Sequence, residues 1–335
     1  WGDVQSPFLS ITAGLFPYKY NPQVRNLGEY LFRSGTYPAF LINNFDKAFA
    51  RLTGAKLSSD LFGMLHQDLI YSIETTIPPF FDGTLSYIAD CNFYHFVDIG
   101  LGVSFANIVS ADGRKTTPTN TTSGGPLTQN RYVTEDGDTA YYTFRGTKVM
   151  GRVCIDPKKL IPLALFGKED LKLYAEAAVL GLENYPRNDT ASSLYPLGTP
   201  GKNQWGYDTL KHKIPVVMGF NVPTFKLLDV LAVEAEWYGC TYPNSYRLRL
   251  GPGPNQGYPV PDPMTNHPNI NYNADNWKWS VYIKRTFYNE HIGIIAQFAR
   301  DHVRNETVID ESFDYEEALS ANEDWWWSAK VVAQF

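Results

Sequence analysis

Cysteine is nearly absent: the 335 residues hold three, Cys91, Cys154 and Cys240. So few thiols, far apart and odd in number, exclude a disulfide framework and a Cys-rich metal site. They read as small semi-buried strand residues. Charge is also scarce, at 19% of residues, with a net −6 and a pI near 5.6. That balance argues against nucleic acid as a partner. No apolar run reaches the roughly 18 residues that a membrane-crossing helix needs. A mean hydropathy of −0.29 is still compatible with a membrane, because a barrel strand is apolar only at every second residue. Phosphate-binding loop, dinucleotide fingerprint, nucleophile elbow and HExxH motifs are missing as well, and no metal or cofactor is expected. Trp1 stands first with no basic-plus-apolar leader behind it. The chain is therefore expected to be a processed or trimmed form of an exported protein.

What the chain has in quantity is aromatics, 15% of residues, and turn formers, with 26 Gly and 22 Pro. That mixture suits many strands joined by turns and polar loops. Alternation predicts strands over 37–46, 51–61, 66–77, 83–92, 97–110, 139–155, 169–185, 212–222, 229–240, 276–287, 291–303 and 324–335. In 229–239, for example, Leu231, Val233, Ala235 and Trp237 oppose Glu234 and Glu236. The connections sort by length. Those near 62–65, 92–96, 222–228 and 288–290 are short; 111–138, 186–211, 241–275 and 304–323 are long and polar. The link 156–168 is an exception, long but apolar in its middle. Residues 21–33 place Val24, Leu27, Tyr30 and Leu31 at helical spacing behind an Asn21-Pro22 start signal, which predicts a short amphipathic helix.

The last twelve residues, Asp324-Trp-Trp-Trp-Ser-Ala-Lys-Val-Val-Ala-Gln-Phe335, put Trp325, Trp327, Ala329, Val331, Ala333 and Phe335 on one wholly apolar face. This resembles the closing strand of a Gram-negative outer-membrane β-barrel. The resemblance implies short turns on the periplasmic side, long loops outside, and a terminal Phe335 that serves as the signal for the barrel-insertion machinery. The expected fold is all-β: a transmembrane antiparallel up-and-down barrel of about twelve strands over residues 36–335. Residues 1–35 are expected to form a partly helical segment at the periplasmic rim or in the lumen. The expected site is the cell outer membrane, in contact with lipid and lipopolysaccharide.

With apolar faces toward lipid, the candidates for the lumen are Asp68, Glu74, Asp90, Asp98, Lys172, Glu176, Glu234, Glu236, Lys278, Lys284 and Lys330. Trp237, Trp277, Trp279, Trp325, Trp326 and Trp327 become membrane-interface aromatics at the loop-side strand ends. Tyr94, Phe225 and Tyr288 lie near the short turns. Barrel phospholipases carry Ser two residues from His on one strand face, and none of His66, His95, His212, His267, His291 or His302 meets that spacing. Asp301 and His302 are adjacent, which on a strand turns them to opposite faces, unlike the Asp-His pair of barrel proteases. The chain is therefore read as non-catalytic. The leading expectation is a structural or interaction barrel that binds envelope partners through its loops and periplasmic elements. The alternative is a narrow channel for small hydrophilic solutes.

Overall fold

The computed structural model describes residues 2–5, 8–32, 50–73, 83–109, 131–133, 139–160, 164–179, 184–186, 214–237, 277–288, 291–300, 304–309, 312–317 and 325–333. Its strands are β1 (Gly2–Gln5), β2 (Leu9–Tyr18), β3 (Ala50–Leu61), β4 (Leu65–Ile73), β5 (Gly83–Phe93), β6 (Val97–Val109), β7 (Arg131–Val133), β8 (Thr139–Ile155) and β9 (Leu173–Val179). They continue with β10 (Asn184–Pro186), β11 (Val216–Asn221), β12 (Val230–Trp237), β13 (Trp277–Phe287), β14 (Ile292–Arg300), β15 (Arg304–Ile309), β16 (Ser312–Glu317) and β17 (Trp326–Ala333). One antiparallel sheet runs β1-β2-β3-β4-β5-β6-β8-β9-β11-β12-β13-β14-β17, a path of 13 strands. The chain is all-β, and no α-helix occurs among the described residues.

The two faces of this sheet have the reverse of the usual polarity. Ser58, Asp68, Ser72, Ser86, Ser104, Lys148, Arg152, Glu176, Glu234, Glu236, Lys278, Ser280 and Gln297 are buried, while Leu15, Leu57, Leu69, Leu101, Met218, Val233, Ile294 and Val331 are exposed. Along β12 buried and more exposed residues alternate without a break. Tight turns hold neighbouring strands in register, and several place consecutive residues at positive φ: Phe62 with Gly63, Tyr94 with His95, Phe225 with Lys226. Their twist matches that of antiparallel strands.

Four expectations need correction. Strand structure begins at Gly2, with β1 and β2, rather than near Thr36. Aromatics and Pro17 interrupt the alternation of β2, which masks it in the sequence. The predicted strand 37–46 lies outside the described residues. Residues 21–32 of the predicted helix 21–33 are irregular rather than helical, because their amides are captured by side chains of the sheet instead of by carbonyls one turn back. Two predicted polar loops, 111–138 and 186–211, touch strand structure, since β7 and β10 both pair with the long end of β8; within 304–323, β15 and β16 form a separate hairpin. Among the described residues no ladder joins β17 to β1 or β2, so the sheet is open where a closed barrel was expected. The other eleven predicted spans each hold one strand of the path.

Glycines on the buried face make room for large neighbours. Gly219 pairs directly with Tyr174 across β11 and β9, and a Cβ at Gly219 would overlap the Tyr174 ring. At Gly293 an added Cβ would meet only Thr286 and Val332, at 3.9 and 4.0 Å. Gly219→Ala should therefore lower stability by about 1–3 kcal/mol through overpacking. Gly293→Ala should be neutral or stabilising by about 0.4–1 kcal/mol, since it restricts only the unfolded chain. Urea unfolding midpoints of the two variants check this difference in sign.

Candidate functional site

Residues 19–32 leave the end of β2 and cross the buried polar face as a strap. Asn21 and Pro22 open it with an Asx-type turn, Gln23 N donating to Asn21 Oδ1 at 3.3 Å. Gly28 (φ +83) and Glu29 (φ +61) then bend it through the left-handed region. A Cβ at Gly28 would press on Val24, Glu176 and Val217, so Gly is required there on two counts. Asn21, Val24, Asn26, Leu27, Tyr30 and Leu31 are all buried.

Buried backbone amides need acceptors, and three carboxylates of the sheet supply most of them. Glu234 on β12 accepts from Arg25 N (2.5 Å), Asn26 N (3.0 Å) and Leu27 N (3.2 Å). Gly28 N reaches Glu236 at 3.5 Å, and Tyr30 OH donates to the same oxygen at 2.8 Å. Glu176 on β9 accepts from Glu29 N (3.0 Å), Tyr30 N (2.9 Å), Tyr20 OH (2.6 Å) and Asn21 Nδ2 (2.8 Å). Leu31 N donates to Tyr20 OH at 3.0 Å. Burial first, and then the Glu176 carboxylate, push the Tyr20 phenol well above its ordinary range, which keeps it a donor. Asn26 also joins the far strands, bonding Ser280 through its Nδ2 and Gln297 through its Oδ1.

Two cations balance part of this acidity. Lys278 Nζ stands 3.5 Å from Glu236, both fully buried and directly opposite on β13 and β12. Arg25 lies over the Tyr282 ring at 5.5 Å and reaches Glu169 at 3.7 Å. The strap's apolar side chains Val24, Leu27, Tyr30 and Leu31 pack with Ile70, Ile88, Met150 and Val217.

A second cluster occupies the short-turn end of β3 to β8. In register, Asp60, His66, Asp90, Gly100 and Arg152 form one row across five strands. Gly100 lets the Arg152 guanidinium lie across β6 to Asp90 (2.6 Å) and Asp98 (3.1 Å), the place a Cβ would fill. His66 has Nδ1 2.7 Å from Asp60 and Nε2 3.3 Å from Asp68. Asp68 also accepts from Tyr18 OH (2.7 Å) and Ser58 Oγ (2.5 Å). With a carboxylate at each ring nitrogen, His66 has no lone pair placed for general-base work.

Asp68, Asp90, Asp98, Glu176, Glu234, Glu236 and Lys278 all lie on this face. Lys284 and Lys330 are half-buried and share its rows, opposite Val230 and Ile295. Lys172 sits just before β9 and pairs with Glu169 at 2.8 Å. Trp237, Trp277, Trp279, Trp325 and Trp327 are exposed on the other face. Glu74, the side chain of Trp326, Phe335 and the Pro-rich loop 241–275 lie outside the described residues. Sequence reasoning missed Arg152 and the strap donors Tyr20, Asn21, Asn26 and Tyr30. For Arg152 a signal existed: Lys148, Met150, Arg152 and Cys154 share one parity.

Glu176→Gln keeps the size but replaces a four-donor acceptor with an amide that must itself donate. Charge-assisted bonds contribute about 1.5–3 kcal/mol each, so amide exchange across 25–31 should quicken roughly 10- to 100-fold. Asp60→Asn, at an exposed side chain, should leave it unchanged; hydrogen–deuterium exchange mass spectrometry reads both. Compared with known proteins, the chain matches no family model, no curated protein and no solved structure.

Proposed function

We propose that the chain is a Gram-negative outer-membrane β-barrel, closed across its lumen by its own strap, with a structural or interaction role in the envelope. The inverted polarity of the sheet supports the membrane half of this reading. Moving a large apolar side chain out of water contributes about 1.5–3 kcal/mol. Leu9, Ile11, Leu15, Leu57, Leu69, Leu101, Phe105, Met218, Ile294, Phe298 and Val331 are exposed on the outer face. Their sum exceeds the roughly 5–15 kcal/mol by which a domain is stable, so hydrocarbon rather than water is the solvent this face fits. Antiparallel pairing of the edge of β17 with the stretch of β2 beyond its pairing with β1 would close the wall at twelve strands. The exposed Trp residues then form the outer aromatic belt beside lipopolysaccharide, and Tyr94, Phe225 and Tyr288 the inner one. Phe335 addresses the barrel-insertion machinery.

The observation that carries the closed-lumen half is the strap itself, whose buried amides and side chains occupy the polar face from β6 to β14. Its partners lie on both sides of the interior: Leu31 over Gly102, Asn26 against Ser280 and Gln297. A narrow channel is the second reading, favoured by the partial exposure of Asp60, His66 and Asp98 at one end.

Two measurements separate these outcomes. The folded protein should need detergent and show heat-modifiable gel mobility; a protein soluble without detergent and lacking that shift ends the barrel reading. In planar bilayers the intact protein should be electrically silent, and deletion of residues 21–31 should open a steady conductance. Steady conductance in the intact protein, with ion selectivity that shifts in Glu234→Gln and Glu236→Gln, would instead establish the channel.

A further inference from the structure

The long link between β8 and β9 and the turn between β11 and β12 are built as one unit. Asp170, almost fully buried, accepts from Gly167 N at 2.7 Å, from Phe225 N at 3.2 Å and from Thr224 Oγ1 at 3.2 Å. The rings of Phe166 and Phe225 stack at 5.6 Å. Lys158 Nζ ties the two ends of the link together, 2.7 Å from Lys168 O and 3.4 Å from Asp156.

The charges of this unit are sorted. Its acids are used internally: Asp156 holds Lys158, Asp170 holds the amides, Glu169 holds Lys172 and Arg25, and Asp229 holds Arg285. Lys159, Lys168 and Lys226 point outward and are exposed. In a chain of net charge −6, this is a surface that offers cations alone. Between those lysines stand Leu165, Phe225 and Leu227, exposed at 60%, 50% and 75%. Phe225 and Lys226 are also held at φ +55 and +69, a region that disfavours residues other than Gly and Asn.

We propose that this unit is a binding site for anionic phospholipid. Leu165, Phe225 and Leu227 enter the boundary between headgroups and acyl chains, and Lys159, Lys168 and Lys226 meet the phosphates. Continuity favours lipid over an acidic protein. The patch leads directly from Ile155 and Leu173, which end β8 and begin β9 on the exposed apolar face. This inference rests on the membrane reading above.

Native mass spectrometry of the detergent-solubilised full chain tests it, with phosphatidylglycerol and phosphatidylethanolamine of identical acyl chains as probes. Phosphatidylglycerol should be retained about tenfold better, in line with three lysines near one headgroup layer. The triple variant Lys159→Gln, Lys168→Gln, Lys226→Gln should lose that preference while keeping heat-modifiable mobility. Equal retention of the two lipids by the unaltered chain would overturn the proposal, as would a preference that survives in the triple variant. A chain that is soluble without detergent would defeat the barrel reading itself, a different result from a detergent-requiring barrel with no lipid preference.

Discussion

Seven consecutive backbone amides, Arg25 to Leu31, find their acceptors in Glu234, Glu236, Glu176 and Tyr20. Neither side of this arrangement is tolerable alone. A carboxylate moved out of water without donors carries a desolvation cost of several kcal/mol, and three stand within two strands of the sheet. An irregular buried segment has amides with no ladder and no helix to absorb them. Each supplies what the other lacks. The shape of the strap follows, since its backbone must present successive N–H groups to oxygens fixed by β9 and β12.

The sheet is fitted to that demand through its cross-strand rows. Tyr174, Gly219, Glu234 and Ser280 lie in one row, and Glu176, Val217, Glu236 and Lys278 in the next. The glycine in the first row takes the Tyr174 ring, whose hydroxyl then reaches Glu234 at 2.9 Å. Gly100 does the same for Arg152, and Gly102 for Leu31. Large polar side chains can thus lie flat along a face that would otherwise be too crowded for both them and the strap.

How much of this could be read from the residues alone depended on distance along the chain. Alternation is local, so eleven strands and the acidic parity of Glu234 and Glu236 were legible. The strap was not. Its apolar residues fall at helical spacing because they pack on one side of a bent segment, and no local pattern distinguishes that from a helix. The carboxylates that accept its amides lie 146 to 209 positions away. β2 was hidden for a different reason, since Phe16 and Tyr18 place aromatics on its buried face and Pro17 stands near its end. The alternation of Lys148 and Arg152 was blurred by the glycines around them.

Those separations also set an order of events. The strap is synthesised before its acceptors on β12, which are more than 200 residues further on. Until β9, β11 and β12 stand in register, the amides of Arg25 to Tyr30 have only water to bond, and the three carboxylates remain hydrated. Closing so long a loop is entropically unfavourable and slow relative to pairing neighbouring hairpins. The strap is thus made before the strands that receive it and is the last to lock, and its docking reports that those strands have been assembled correctly.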